Sequence, residues 1–531
     1  MMAHASPASI RIGKVWPACP NCESAELEYE FIVDGYPACS CRQCALLFLN
    51  PQPAAPTSRP AKNSNEAREV YDVHAANAAG WLDQLQAYTG ITSGHLLLVG
   101  ETPYLETEAR RRGFEVSSLL PQDLESGGGP KEEAGTIAAC ILYRALETAA
   151  DPLALLRSIR VWLGPNSGLM VIAPTVDSRT ARLFRSHWWE FKRDNRFYFS
   201  TDTLQCLLIK AGFGDPIIRR DHAVVTVRYM MEKLAAMPRA LRYRLLRLAL
   251  GLAPRFLRDR AFRFLHSRTT VLVRPKPQDD PRPRLSVIVP AYNESATFLT
   301  LMDQLVEKEL PNLDIEIIIV ESNSTDGTRE QALRYQDRPR VRLILEDQPR
   351  GKGHAVRRGL EAATGDVVLF QDADLEYDLG DYASLVEPIL RYQRNFVIGS
   401  RHILKGRVWK MRQFNDAAGL AAVFNFGHFV FLSLFNLICF QDLTDPFSMF
   451  KVFRRGCLYG LVFECNRFDF DFEIAIKLLR KGYKPLELPV NYRARSFAEG
   501  KKVRVFRDSL TFIRALVRSR SSRLYPGNEV E

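Results

Sequence analysis

The first sixteen residues, MMAHASPASIRIGKVW, hold no apolar segment, so nothing there reads as a secretory signal. No internal repeat is present, which excludes a repeat architecture. Charge imbalance is modest. A formal net charge of +11 over 531 residues does not by itself imply nucleic acid, although it fits an anionic substrate or a membrane surface. Cysteine is scarce outside one segment: of ten, five fall between Cys19 and Cys44, and the others stand singly among apolar neighbours. That distribution excludes a disulfide scaffold and points to metal binding in a reducing, cytoplasmic compartment.

The chain is too long for one ordinary core, at roughly 100–200 residues per domain. Hydrophobic residues make up 46% and charged residues 25%, which is globular and not disordered. Composition marks the blocks. Residues 1–50 hold the clustered cysteines, and PQPAAPTSRPAKNSNEA reads as a linker. Residues 68–274 alternate helical and strand patterns, and 275–284 form a second, Pro-rich and charged linker. A new alternation occupies 285–507, and 508–531 form a basic C-terminal helix and tail. In the first block Cys19 and Cys22, then Cys41 and Cys44, form two C-x2-C pairs. This spacing predicts a closed, structural tetrathiolate zinc site in a small ribbon that needs the staple, with Cys39 a bystander.

In the third block, 285–289, 315–320, 341–345, 367–370 and 396–399 are short apolar runs, expected as strands of a mostly parallel sheet buried on both faces. Helical patterns lie between them. Polar groups follow the strands: PAYNE after the first, ESNSTDGT after the second, DADLE after the fourth, Ser400-Arg401 after the fifth. In open α/β sheets ligands bind outside the carboxyl ends of strands. Two acids spaced D-x-D suit Mg²⁺ or Mn²⁺ shared with phosphate oxygens. RGKGHAVRRG (350–359) offers glycines and cations before a helix, which suits an anion.

VIVPAYNE, IIIVESNSTDGT, GKGHAVRRGLEAATGDVVLFQDADLEY, VIGSR, GYKPLELPVNY and RSFAEGKK occur in that order. On them, about 220 residues resemble the family 2 glycosyltransferases of GT-A fold, in particular the dolichol- or polyprenyl-phosphate mannosyl- and glucosyltransferases. The resemblance implies an inverting transfer from a nucleotide-diphosphate sugar to a membrane-borne acceptor, polyprenyl phosphate first among them. It implies a nucleotide site at Pro290, Tyr292, Glu294, Glu321, Asn323, Lys352 and Asp372, and a Mg²⁺ or Mn²⁺ site at Asp372, Asp374 and Glu376. Arg401, Arg495 and Lys501 would hold the acceptor phosphate or the diphosphate. The family's Asp-Asp pair is here Glu321-Ser322, a departure that bears on nucleotide preference. A lipid phosphate is already an anionic nucleophile, so positioning and charge neutralisation would carry catalysis. A hydroxyl acceptor would need a carboxylate base, for which Asp445 is the candidate.

The apolar stretch 418–440 has the length of a membrane span but carries Asn425, His428 and Asn436, so helices at the membrane interface are expected. The C-terminal KKVRVFRDSLTFIRALVRSRSSR, with eight cations and one acid, fits a peripheral basic helix. The expected setting is peripheral, at the inner face of the membrane, with no nucleic acid partner. The sequence leaves the oligomeric state open.

HLLLVGETPYLETEARRRGFEVSSL and GTIAACILYRALETAADPLALLRSIRVWLGPNSGLMVIAP, with RFYFSTDTLQCLLIKAGF and the preceding ribbon, resemble class I S-adenosylmethionine-dependent methyltransferases over residues 15–274. The cofactor chemistry is eroded. Only Gly100 remains of the glycine-rich turn, Pro103 follows, the ribose-binding acid is absent from VSSLL, and the family's Glu-His is Glu147-Thr148. S-adenosylmethionine is therefore not expected as a cofactor. The fold class expected is α/β: two Rossmann-like domains, methyltransferase-like then GT-A, behind a small zinc ribbon. The rival readings are a bifunctional methyltransferase and glycosyltransferase, and a non-enzymatic scaffold in polysaccharide assembly.

Overall fold

The computed structural model describes residues 12–54, 69–235, 241–252, 254, 262–277, 282–403 and 418–493, with 516, 518–520, 522 and 524. The chain divides into two compact units, Met1–Gln278 and Asp279–Glu531. Both are α/β.

The N-terminal unit begins with strands β1 (Leu27–Val33), β2 (Tyr36–Cys41) and β3 (Leu47–Leu49). β1 and β2 form a hairpin closed by Asp34 and Gly35, both at positive φ (46° and 90°), the residue pair a two-residue primed turn requires. A six-stranded sheet follows, built from β4 (Gly94–Val99), β5 (Phe114–Leu119), β6 (Ile137–Tyr143), β7 (Leu163–Pro174), β9 (Ile217–Val225) and β10 (Phe262–Val273) in the order β5-β4-β6-β7-β10-β9. The first four strands are parallel, and β10 runs antiparallel to both neighbours. Leu96 to Val99 and Ala139 to Leu142 are fully buried, as strands covered on both faces must be.

Strand β8 (Phe197–Tyr198) leaves the α/β layer and pairs antiparallel with β3. Phe197 stacks on Phe48 at 6.2 Å between ring centres, and both are fully buried. The cysteine-bearing strands are thus one sheet with a piece of chain about 150 residues downstream.

The C-terminal unit holds one seven-stranded sheet: β11 (Arg284–Ala291), β12 (Asp314–Glu321), β13 (Val341–Leu345), β14 (Val367–Phe370), β15 (Phe396–Ser400), β16 (Lys451–Arg454) and β17 (Leu486–Pro489). Its order is β13-β12-β11-β14-β16-β15-β17. All neighbours are parallel except β16, which lies antiparallel between β14 and β15. The five expected strands are β11 to β15; β16 and β17 are additional. Val287 to Val289, Ile317 to Val320 and Val367 to Phe370 are at most 1% exposed, and burying each such side chain stabilises by roughly 1.5–3 kcal/mol.

The 418–440 stretch is one helix, Ala418–Cys439, with Phe435 and Cys439 packed on Phe472, Ala475 and Ile476 of helix Phe470–Lys481. Among the described residues no helix is long and apolar enough to cross a membrane. Val430, Leu437 and Phe440 are exposed. Arg495, Lys501 and most of the basic C-terminal segment lie outside the described residues.

Candidate active site and a candidate metal centre

The carboxyl ends of β11, β12, β14 and β15 open onto one rim of the C-terminal sheet, and most of the expected side chains stand there. The loops after β11 and β12 are laced together. The Asn293 amide donates to Ser324 Oγ (2.9 Å), the Thr325 amide to Asn293 Oδ1 (2.9 Å), and the Glu294 amide to Thr328 Oγ1 (2.8 Å). Pro290, next to last in its strand, lies opposite Val320, and Tyr292 is exposed.

Glu321 is fully buried. Its carboxylate accepts from the Ser324 amide (2.7 Å) and the Asn323 amide (3.2 Å) and lies 3.3 Å from Arg329. Asn323 donates to the Asp347 carbonyl and accepts from Arg329. Both residues brace the loop. Ser322, at the position of the family's second acid, donates to Glu346 Oε2 (2.6 Å), and Glu346 Oε1 sits 2.6 Å from His354 Nδ1. Glu346, from the end of β13, thus brings a carboxylate next to the position where the motif lacks one.

The D-x-D loop follows β14. Asp372 Oδ1 lies 2.6 Å from Lys352 Nζ, Asp374 Oδ1 accepts from the Glu376 amide (3.1 Å), and Glu376 Oε2 accepts from the Tyr492 hydroxyl (2.7 Å). Leu375, at φ 56°, turns the chain between the acids. Thr297 Oγ1 donates to the Ala373 carbonyl (2.7 Å) and ties this loop to the one after β11. Asp378 caps the turn Leu379–Asp381 through the Gly380 amide (2.8 Å). Asp372, Asp374 and Glu376 do not form a ready three-carboxylate cage, because their ligand atoms are not gathered within 4.8 Å. A cation shared with a diphosphate needs only one or two carboxylates, so the pair fits such an ion.

Lys352 opens helix Lys352–Ala362. Burial works against its charge, but Asp372, Asp471 and Asp374 hold its pKa above the ordinary lysine value. Gly353 has a physical reason different from phosphate approach: a Cβ there would lie 2.7–2.9 Å from Phe470 Cβ and the carbonyls of Cys465 and Arg467. The glycine lets segment 465–470 close over the helix start.

That segment delivers a carboxylate that sequence reasoning missed. Asp471 is buried; burial raises its pKa, opposed by Lys352 and Lys451. Its signal was available, since Asp469, Asp471 and Glu473 alternate before an apolar helix much as the acids of 372–378 follow a strand. Asp469 accepts from the Arg467 amide and Glu473 from Lys477 and two amides, which leaves Asp471 toward the rim. Lys451, fully buried at the start of β16, was missed as well; burial pulls its pKa down to about 8 against Asp471 and Asp445.

Arg401 and Asp445 form a two-pronged ion pair, Nε to Oδ2 and Nη2 to Oδ1 at 2.7 Å each, with the Arg401 amide on Oδ2 at 3.0 Å. Arg401 also lies over the Tyr492 ring, 5.2 Å from its centre. Burial pushes the Asp445 carboxyl up, and Arg401 more than reverses this, holding it at about 2. A carboxylate so held is a poor proton acceptor, which does not suit the part of general base. Arg401 is engaged by Asp445.

In the N-terminal unit, Sγ of Cys19 is 3.4 Å from that of Cys44, and Cys22 is 3.5 Å from Cys41. All four lie within 4.8 Å of one another. A tetrahedral centre with bonds of about 2.3 Å separates its sulfurs by roughly 3.8 Å, so the quartet fits zinc. Each knuckle closes on a left-handed residue just after its second cysteine, Glu23 (φ 65°) and Ala45 (φ 56°). Cys39 stands apart, its Sγ near the Asn50 carbonyl. Gly100 answers a packing need: at φ 120° its missing Cβ would lie 2.2 Å from the Tyr143 carbonyl oxygen. Glu147 is buried, and burial raises its carboxyl to about 7.

Residues 286–460 match the family described as Glycosyl transferase family 2, so the C-terminal unit carries a domain of that family. The chain is 28% identical over 218 residues to a dolichol-phosphate mannosyltransferase of Pyrococcus furiosus, covering 41% of this chain and 59% of the relative. It therefore spans about three-fifths of that relative's length. It is 29% identical over 251 residues to a dolichyl-phosphate beta-glucosyltransferase of Dictyostelium discoideum, covering 44% of this chain and 73% of the relative. A glucosyl-3-phosphoglycerate synthase from Mycobacterium tuberculosis, solved with Mn²⁺, UDP and phosphoglyceric acid, aligns with 46% of this chain and 80% of its own, at 22% identity and a TM-score of 0.34.

Proposed function

We propose, on the premise of a family 2 glycosyl transferase domain, that the C-terminal unit moves a sugar from a nucleotide-diphosphate sugar to a lipid-borne phosphate. The observation that carries this is the rim itself: Asp372 and Asp374 after β14 beside Lys352, with Arg401 after β15. The acceptor oxygen forms a bond to the anomeric carbon as the bond to the diphosphate breaks, and the electron pair leaves with the nucleoside diphosphate. Inversion follows from attack opposite the leaving group. A Mg²⁺ or Mn²⁺ ion held by Asp372 and Asp374 would supply charge neutralisation for the departing diphosphate. Lys352 adds a fixed cation at the same place. A phosphate acceptor arrives ionised, so the chain need only orient it.

The names of the relatives support a polyprenyl phosphate acceptor, and exposed Val430, Leu437 and Phe440 support a helix lying against lipid at the inner face of a membrane. The test is nucleotide release from UDP- and GDP-sugars with Mn²⁺ and polyprenyl phosphate. Release that needs both the cation and the lipid phosphate is expected. Equal release with phosphoglycerate would move the acceptor away from lipid, and none with any donor would favour a scaffold.

For the N-terminal unit we propose a methyltransferase-like scaffold stapled by zinc. The sulfur geometry supports the metal, and Gly100, closed off by Tyr143, supports loss of the cofactor. The purified chain should hold one equivalent of zinc by elemental analysis and give no heat with S-adenosylmethionine in calorimetry. Micromolar binding would instead favour a bifunctional enzyme.

A further inference from the structure

The N-terminal unit has a surface that the transfer reading does not use. Helix Leu241–Gly251 packs Leu246 and Leu250 onto a cluster containing Ala181, Phe184, Trp188 and Leu234. Its inner face is therefore satisfied. The helix nevertheless carries a second apolar stripe. Leu245, Leu248 and Leu252, at i, i+3 and i+7, are 58%, 67% and 78% exposed. A helix apolar on two sides is normally buried on both.

The same cluster is covered by a second short helix, Arg179–Phe184, which repeats the arrangement. Ala181 and Phe184 point inward, while Leu183 is 60% exposed between exposed Arg179, Arg182 and Arg185. By sequence, helix Leu241–Gly251 carries arginines and no acid. Leu245, Leu248, Leu252 and Leu183 are thus exposed leucines, that of the shorter helix standing among cations, and no ion pair binds Arg179, Arg182 or Arg185 among the described residues.

A solvated charged face does not need the leucines, and a nucleic acid offers them nothing. An anionic bilayer meets both demands: leucines enter the headgroup boundary and arginines meet lipid phosphates. We propose that this face of the N-terminal unit docks on membrane containing anionic lipid. The inference stands apart from the transfer reading, because none of these residues lies in the C-terminal unit.

The test is co-sedimentation of the full chain with vesicles of phosphatidylcholine alone and of phosphatidylcholine mixed with phosphatidylglycerol. Binding to the mixed vesicles is expected. Leu245→Ser, Leu248→Ser and Leu252→Ser together should lower the partition coefficient roughly tenfold or more. Arg179→Ala, Arg182→Ala and Arg185→Ala should weaken binding to the mixed vesicles only. All six residues are exposed, so melting temperature should not move and serves as the fold control. The proposal falls if the leucine variant sediments as the parent does. It falls equally if the parent is a dimer that the leucine changes convert to monomer, or if the chain prefers nucleic acid to anionic vesicles.

Discussion

Replacing Asp374 by Asn should lower nucleotide-sugar turnover about a thousandfold, roughly 4 kcal/mol of barrier, with no change in melting temperature. Asn keeps the oxygen that accepts from the Glu376 amide, so the turn at Leu375 survives while the charge is lost. Asp372 does not separate the two effects as cleanly. Its carboxylate neutralises the half-buried Lys352, and removing it strands a cation as well as a ligand. Asp372→Asn should therefore reduce both turnover and stability. Turnover of Asp374→Asn equal to the parent's, or parental turnover in chelator, would remove the cation from this carboxylate.

Arg401→Met should destabilise the C-terminal unit by about 3–5 kcal/mol, because it strips the guanidinium from the fully buried Asp445 and leaves only the residue 401 amide and, 3.8 Å away, His402 beside the carboxylate. The pH dependence has a definite sign. The Asp445 carboxyl sits at about 2, below its ordinary value. The ionised pair therefore stabilises the parent above about pH 4, by roughly 2 kcal/mol, and that contribution fades as pH falls through about 2. Without Arg401, burial would raise this carboxyl instead. Melting curves at about pH 7 and pH 5 should then show the variant closing part of the gap to the parent, as protonation removes the stranded charge. Adding Asp445→Asn to Arg401→Met should recover part of the loss at neutral pH. A variant as stable as the parent would show that the pair is not a buried dependency.

Much of the catalytic unit was legible in the sequence because its central strands are buried on both faces and so read as unbroken apolar runs. What followed each run located the rim. β16 and β17 escaped because charged residues break their short runs (KVFR and LELP), where β14 is unbroken VVLF, and β16 is set between β14 and β15 by contacts remote in sequence. The roles of individual acids were less legible. Asp445 looked like a free carboxylate until its partner appeared 44 residues upstream. Glu346 came from a strand end with no motif, and Asp471 from a helix start outside every motif read. Glycines misled in a particular way: Gly353 suggested a phosphate contact, and backbone crowding by Cys465 and Arg467 explains it. The pairing of β3 with β8 was invisible because a two-residue strand has no periodicity.

That last pairing bears on how such a chain can be inherited. A ribbon held only by its metal could be gained or lost by recombination without harm to its neighbour. Here, excising the first fifty residues would expose Phe197 and leave β8 without a partner, whereas a breakpoint near Gln278 and Asp279 cuts between compact units. Gene fusions and fissions in this lineage should therefore fall near that second point, with the cysteine strands travelling alongside the α/β layer they complete.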